Sequence, residues 1–326
     1  MKRILLLYFF IISVSGCKSV NSLERYEFST FSMNTLVSVT IYHNKLNKSI
    51  LKKIEKQTIS ILEELEKKYS ISKNESIVNQ LKRTNEINID NEIYQILKSS
   101  ERFYKISERK FDITIGRLID VWGFYNQKYR LPDRKEIESA KRLTGFEKIQ
   151  FTHYRLKVNN AIWVDFGGIL KGYAVEKVAA YLKSEGIIAG LVNAGGNIKV
   201  FGEKPDKSPW KIGIRHPRKN GELYKVITLS SDEAIATSGD YERFFITNGI
   251  RYHHIIDPGS GYPVKNNIAS VTVVTTNAME ADGYSTTLFL LGIEKGIKLA
   301  NREKIKVLYL VSKDNMDVYK TNNIDF

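Results

Sequence analysis

A single cysteine, Cys17, in 326 residues sets the terms on which this chain can fold. No intrachain disulfide can form and no multi-cysteine zinc site can be built, so the fold must rest on buried apolar surface. A chain of this length buries enough of that surface to need no staple. Hydrophobic residues at 42% and charged residues at 26% are ordinary globular proportions, which excludes a disordered or collagen-like chain. The length admits one large domain or two modest ones.

The position of that cysteine is informative. Met1-Lys2-Arg3 is followed by an apolar run from Ile4 to Val14 and then by Ser15-Gly16-Cys17. A basic start, a short apolar segment and small residues describe an export signal, too short to span a bilayer as a mature helix. Ser15-Gly16 ahead of Cys17 resembles the bacterial lipobox, which implies cleavage before Cys17 and lipidation of its thiol. A plain signal peptide with an incidental cysteine is the alternative. The expected division is a signal peptide over 1–16, a tether over 17–24 and a domain over 25–326. That domain is expected to be exported and lipid-anchored to a bacterial membrane, facing the periplasm or the cell surface.

The net charge of +14 needs an account. Lysines over 45–67 alternate with glutamate at helical spacing, and those over 204–225 are scattered. Neither segment interleaves arginine with aromatics as nucleic-acid platforms do. A solvated surface is the reading, helped by anionic lipid heads near the anchor, and no nucleic-acid partner is expected.

Leu51, Ile54, Ile61, Leu62 and Leu65 predict an amphipathic helix over Lys48–Tyr69. Ile93, Ile96, Leu97, Phe103 and Tyr104 predict a second over Asn91–Ile106, with a polar loop over 70–76 between them. Strands are predicted at 36–41, 161–165, 187–192, 210–214, 225–229, 234–237 and 270–274. A helix over 171–184 is closed by Gly186, and a last helix, Ala278–Leu291, is stopped by Gly292. Consecutive strands favour α+β over an alternating fold, and no repeat or linker divides the mature chain. One compact domain of mixed sheets and helices is expected.

Three segments could carry chemistry. In Asp165-Phe166-Gly167-Gly168-Ile169-Leu170-Lys171-Gly172-Tyr173, glycines permit close backbone approach and a helix start offers free N–H groups to phosphate. Lys171 sits where the helix dipole disfavours a cation, and a bound anion would account for it. The segment is neither a Walker loop nor a G-x-G-x-x-G fingerprint, and a plain strand–turn–helix is the alternative.

In Ala281-Asp282-Gly283-Tyr284-Ser285-Thr286, the Asp282 carboxylate and Thr286 hydroxyl share one helical face. Two hard oxygen ligands suit Mg²⁺, which keeps several waters; a capping carboxylate is the alternative. In His253-His254-Ile255-Ile256-Asp257-Pro258-Gly259-Ser260-Gly261, a tight turn carries groups able to do acid–base work, or is purely structural with Asp257 bonding its own backbone. His43, His153 and His216 are isolated and read as surface or loop histidines.

Together these stretches resemble the ApbE family of FAD:protein FMN transferases, exported flavin-handling lipoproteins, from about Phe28 to Leu291. Phe31-Ser32-Met33-Asn34-Thr35 is similar to the family's first motif, usually Met-Gly-Thr. Phe111-Asp112-Ile113-Thr114-Ile115-Gly116 with Leu118 and Trp122-Gly123-Phe124 is similar to its F-D-x-T-x-G…L…W-G-F stretch. Asp165 to Tyr173, Asn193-Ala194-Gly195-Gly196-Asn197, His254 to Gly261 and Ala281 to Thr286 match four further motifs in the family's order.

The resemblance implies an ApbE-like, T-fold-related fold. It implies an FAD pocket formed by Met33, Phe111, Asp112, Ile113, Asp165, Lys171 and Ile256, with Ser72 beside it in the loop after the first helix. It implies Mg²⁺ held by Asp282, Thr286 and the Gly168 carbonyl. The implied reaction moves the FMN half of FAD onto a Thr or Ser hydroxyl of an acceptor, a flavoprotein subunit of a membrane redox complex, releasing AMP. His254 is the first candidate for the base near that hydroxyl and Asp257 the second. Asn34 departs from the family's glycine, and Ser72 stands where many members carry an aromatic, which weakens any stacking lid. An Mg²⁺-dependent FAD pyrophosphatase and a non-catalytic flavin-binding lipoprotein are the competing readings.

Overall fold

The computed structural model describes residues 23–159, 161–312 and 316–322. The signal segment, Cys17 and nearly all of the tether lie outside the described residues. The first two strands, β1 (Glu24–Ser32) and β2 (Thr35–His43), alternate inward and outward positions and pair antiparallel, Glu24 opposite His43 and Ser32 opposite Thr35. The turn between them holds Met33 and Asn34 at φ of 53° and 60°, the left-handed pair of a type I′ hairpin. Asparagine tolerates that conformation best after glycine, so Asn34 is a workable replacement there. Met33 has no such tolerance. Its amide donates to Glu66 Oε2 at 2.9 Å, and the Ser32 hydroxyl donates to the same oxygen at 3.0 Å, which pins the tip.

Glu66 belongs to α1 (Lys48–Tyr69), capped by the Asn47 side chain and burying Leu51, Ile54, Ile61, Leu62 and Leu65. There follow α2 (Ile77–Thr84), β3 (Glu86–Asn88), α3 (Asn91–Ile106), α4 (Gly116–Val121), α5 (Arg134–Lys141), β4 (Ile149–Phe151) and β5 (Arg155–Val158). Then come α6 (Leu170–Ser184), β6 (Ala189–Ala194), β7 (Asn197–Phe201), β8 (Trp210–Arg215), β9 (Leu223–Leu229) and β10 (Ala234–Gly239). The chain continues through β11 (Phe244–Thr247), β12 (Ile250–His253), β13 (Ile268–Thr275), α7 (Ala278–Leu291), α8 (Ile293–Arg302), β14 (Lys306–Ser312) and β15 (Met316–Lys320).

The main sheet runs β1-β2-β6-β7-β10-β13-β14-β15 and is antiparallel throughout. One face buries Val37, Val39, Val192 and Val271 against α1, α6 and α7. The other buries Val200, Ile235 and Leu310 beneath the β8–β9 hairpin with Trp210 and Ile212. A smaller core gathers Leu118, Trp122, Phe124, Ile137 and Ile256. This is the mixed α+β domain that consecutive strands imply.

Register also gives the sheet two unlike ends. β1 begins, β2 finishes and β6 begins at one of them, with Tyr42 opposite Ala189. The Met33–Asn34 tip and the β6–β7 turn lie at the other. α1 leaves the first end and delivers Glu66 to the second; its 22 residues span ~33 Å.

Three expectations are corrected. Residues 161–165 form no strand: Ala161 turns at φ 70° and only Trp163 bridges to Ile115, so the segment has no extended neighbour to pair with. α7 is not the last helix. Gly292 ends it at φ 79° and α8 starts at the next residue, with β14 and β15 completing the sheet. His43 is no surface histidine: it is 2% exposed, and its Nδ1 accepts the Leu46 N–H at 3.2 Å to close the β2–α1 turn.

Glu92 of α3 ties the helices together behind the sheet. It accepts from Lys68 Nζ at 2.8 Å, from the Tyr69 and Tyr173 hydroxyls at 2.9 Å each, and from Lys177. Burial would push this carboxyl up, but the bonds from Lys177, Lys68 and Tyr69 prevail and hold it at about 2 against an ordinary 4.5. A depressed carboxyl stabilises the fold fully above its unfolded value and ceases to do so as pH falls through the folded one. Wild type is therefore expected to lose up to about 3 kcal/mol through Glu92 on acidification from roughly pH 5 to pH 2. Glu92→Gln should be less stable at pH 7 and show a shallower acid limb in urea titrations stepped over that range.

Candidate functional site at the start of α6

Ile169, which precedes α6, has no side chain to cap it. The cap comes instead from α7: Asp282 Oδ2 accepts the Gly172 N–H at 2.9 Å, and the Lys171 N–H also bonds the carboxylate. The helices approach this closely because Gly172 lacks a side chain. A Cβ there would lie 2.2 Å from the Ala278 carbonyl oxygen and 2.7 Å from Asp282 Cβ. Asp282 is only 4% exposed. Burial pushes its carboxyl up, opposed by the Lys171 ammonium and the two N–H groups. A carboxylate buried with so little compensation is a place for a cation.

One turn further along α7, Thr286 Oγ1 lies 3.1 Å from Ser238 Oγ, which also meets Ser285 Oγ at 2.8 Å. The Thr286 methyl faces Gly168, where a Cβ would sit 3.5 Å from Thr286 Cγ2 and 3.0 Å from the Phe111 ring. Gly168, Thr286 and Asp282 thus gather at one place. Among the described residues no group of three or more His, Cys, Asp or Glu could hold a metal. A cation here must rely on one carboxylate and neutral oxygens, and that donor set fits Mg²⁺ better than a transition metal.

The half-buried Lys171 also acts on His254, just past β12. His254 Nδ1 lies 3.3 Å from the Arg243 carbonyl oxygen. A carbonyl only accepts, so Nδ1 carries the hydrogen and Nε2 presents a lone pair. Burial, followed by the charges of Arg243, His253 and Lys171, holds the imidazole well below its ordinary 6.5. At pH 7 this favours the neutral ring, whose Nε2 carries no proton.

The turn carrying His254 is fastened by the smaller core. Trp122 Nε1 donates to the Gly261 carbonyl at 2.9 Å, and its ring stacks on Tyr252 and meets Tyr262 edge-on. Asp257 is fully engaged, Oδ1 accepting the Gly259 N–H at 2.9 Å and Oδ2 accepting from Lys110 at 2.8 Å. These two bonds brace the turn and tie it to Lys110. Ile256 is 1% exposed, with its side chain packed into the smaller core.

Asp112 and Asp165 brace turns. Asp112 Oδ1 accepts from the Thr114 N–H at 2.8 Å and hydroxyl at 2.7 Å. Asp165 accepts from the Gly167 N–H at 2.7 Å and the Tyr125 hydroxyl at 2.8 Å. Phe111 and Ile113 are buried, Phe111 against Gly168. Met33 and Ser72 share no hydrogen bond with this group; Ser72 is exposed and bonds Ser70 at 2.9 Å. Sequence reasoning missed Ser238, Arg243 and Glu66, which lie in none of the recognisable motifs.

A glycine-flanked helix start, with a cation-ready carboxylate on one side and a neutral imidazole on the other, defines a domain built to handle a phosphate ester. The comparisons agree on which. The ApbE family model matches residues 33–309, and the chain belongs to that family. It is 31% identical over 311 residues to an FAD:protein FMN transferase of Vibrio cholerae, covering 94% of this chain and 92% of that one. A Haemophilus influenzae protein of the same name is 30% identical over 331 residues, with 96% and 95% covered. Flavin transferase ApbE from Vibrio cholerae superposes with a TM-score of 0.83 at 29% identity, over 92% of this chain and 98% of that structure. The ApbE protein from Thermotoga maritima gives 0.84 at 32% identity, over 92% and 97%.

Proposed function

We propose that this chain moves the FMN half of FAD onto a Thr or Ser hydroxyl of an acceptor protein and releases AMP. The observation that carries the proposal is the meeting of Gly168, Thr286 and the buried Asp282 carboxylate at the start of α6, where Lys171 stands one residue ahead of Gly172. The names of the relatives support it. The pyrophosphate of FAD lies beside this helix start, with Lys171 against its oxygens. Asp282, Thr286 and the Gly168 carbonyl would hold Mg²⁺, which when bound neutralises pyrophosphate charge. Phe111 and Met33 supply apolar surface, while Asp112 and Asp165 keep the neighbouring turns in place.

His254 Nε2 takes the proton of the acceptor hydroxyl as that oxygen bonds the phosphorus bearing riboflavin. The bond from this phosphorus to the bridging oxygen breaks, and AMP leaves with the electron pair. The acceptor in this reading is a flavoprotein subunit of a membrane redox complex, and the enzyme is held near it by lipid on Cys17.

The test is AMP release from FAD and Mg²⁺ with and without an acceptor subunit. AMP only with acceptor, together with covalent flavin on it, supports transfer. AMP without acceptor means a pyrophosphatase, and no AMP means a binding protein. His254→Gln should lower the rate by about 10²- to 10⁴-fold. Wild-type rates should stay flat through neutral pH and fall only in acid, as the depressed imidazole protonates.

A further inference from the structure

Transfer chemistry does not explain the lysines around the start of α1. Lys45, Lys48, Lys52, Lys53 and Lys56 are all exposed. Lys52 pairs with Glu55 at 2.8 Å, whereas the other four make no ion pair among the described residues. The first turn of α1 holds no acidic residue, the reverse of what a helix dipole favours. Ile50 stands among these lysines at 41% exposure.

Topology supplies an independent observation. The described chain enters the sheet at this same end, because Glu24 pairs with His43, just before Lys45. Residues 18–23, fully extended, reach at most ~20 Å. A lipid on Cys17 therefore keeps this face close to the bilayer, whatever path the tether takes. Attraction of lysine to an anionic leaflet acts over about 10 Å, a distance such a tether brings within reach.

We propose that the β2–α1 loop and the first turns of α1 form a face that rests on anionic lipid headgroups. The α6–α7 site then works at the far end of the sheet, ~30 Å away. The placement rests on the lipid anchor proposed above; the charge match does not.

The test uses the mature protein purified from membranes and reconstituted in phosphatidylcholine vesicles, with or without phosphatidylglycerol. Amine-reactive labelling is read at each lysine by mass spectrometry. Lys45, Lys48 and Lys53 should label several-fold more slowly in the anionic vesicles, and high salt should abolish the difference. Lys265, exposed near the opposite end of the sheet beside Ile268, is the internal control. Equal labelling of the three lysines in both vesicles overturns the face.

The mass of the N-terminal peptide reports the lipid separately. An unlipidated chain with protected lysines, its vesicles added from outside, keeps the face and removes the anchor; a lipidated chain with unprotected lysines does the reverse. Lys45→Glu, Lys48→Glu and Lys53→Glu together should remove the protection and leave AMP release unchanged. An acidic residue in the first turn of α1 suits the helix dipole, so this variant should melt no lower than wild type.

Discussion

Asp282→Asn should give a folded protein that releases AMP far more slowly. The amide oxygen can still accept the Gly172 N–H that Asp282 Oδ2 accepts at 2.9 Å, so the cap on α6 survives. What disappears is the only formal charge among the proposed ligands. Mg²⁺ dehydrates reluctantly and is held poorly by neutral oxygens, so the rate should fall by about two orders of magnitude or more. Raising Mg²⁺ should restore it only in part, because weaker binding is offset by concentration while the missing charge is not. Because burial disfavours the ionised carboxyl at this position, the melting temperature should hold or rise. Asp282→Ala removes cap and charge together and should lose both stability and rate. Melting curves and AMP release across a Mg²⁺ titration separate the variants. An Asp282→Asn enzyme with wild-type rate and Mg²⁺ dependence would falsify the cation site.

Gly172→Ala should be among the most damaging single methyl additions. The new Cβ would meet the Ala278 carbonyl oxygen at 2.2 Å, and backbone cannot swing aside as a side-chain tip can. Overpacking of this kind costs about 1–3 kcal/mol or more, which should lower the melting temperature by roughly 5 °C. Activity should suffer beyond that. Parting α6 from α7 moves Lys171 and Asp282 away from each other, so the fully folded variant at low temperature should still be slow. A variant with normal melting and normal AMP release would show that the crossing has slack the geometry denies.

The long helices were legible because their signals are local. Asn47, Asp90 and Asn277 each cap a helix with a side-chain acceptor ahead of a clear apolar stripe or run. The short α2, α4 and α5 have little periodicity to show, and β3 joins the β4–β5 hairpin only through a partner about 70 residues away in sequence. Val307 to Val311 is an apolar run too short to tell strand from helix by periodicity, and only pairing with β13 and β15 makes it a strand. Residue types marked Lys171, Asp282 and Thr286 as candidates, since a cation at a helix start and a carboxylate in an apolar helix are both anomalies. They did not reveal that Asp257 would pair with Lys110, a partner 147 positions away. Nor did they show that Ile256 would turn into a core. Such outcomes depend on tertiary neighbours that no local spacing encodes.

The bonds that assemble the site also bear on when it can exist. Gly172 to Asp282 closes a loop of 110 residues, and Trp122 to Gly261 closes one of 139. Contacts of such separation are entropically late, because the chain between them must already be confined. The helix start, its carboxylate and the seat of His254 therefore come together near the end of folding. Partly folded chains should carry no residual AMP-forming activity, and in denaturant activity should vanish with the global transition rather than ahead of it. A newly made chain stays chemically silent until the whole domain has closed.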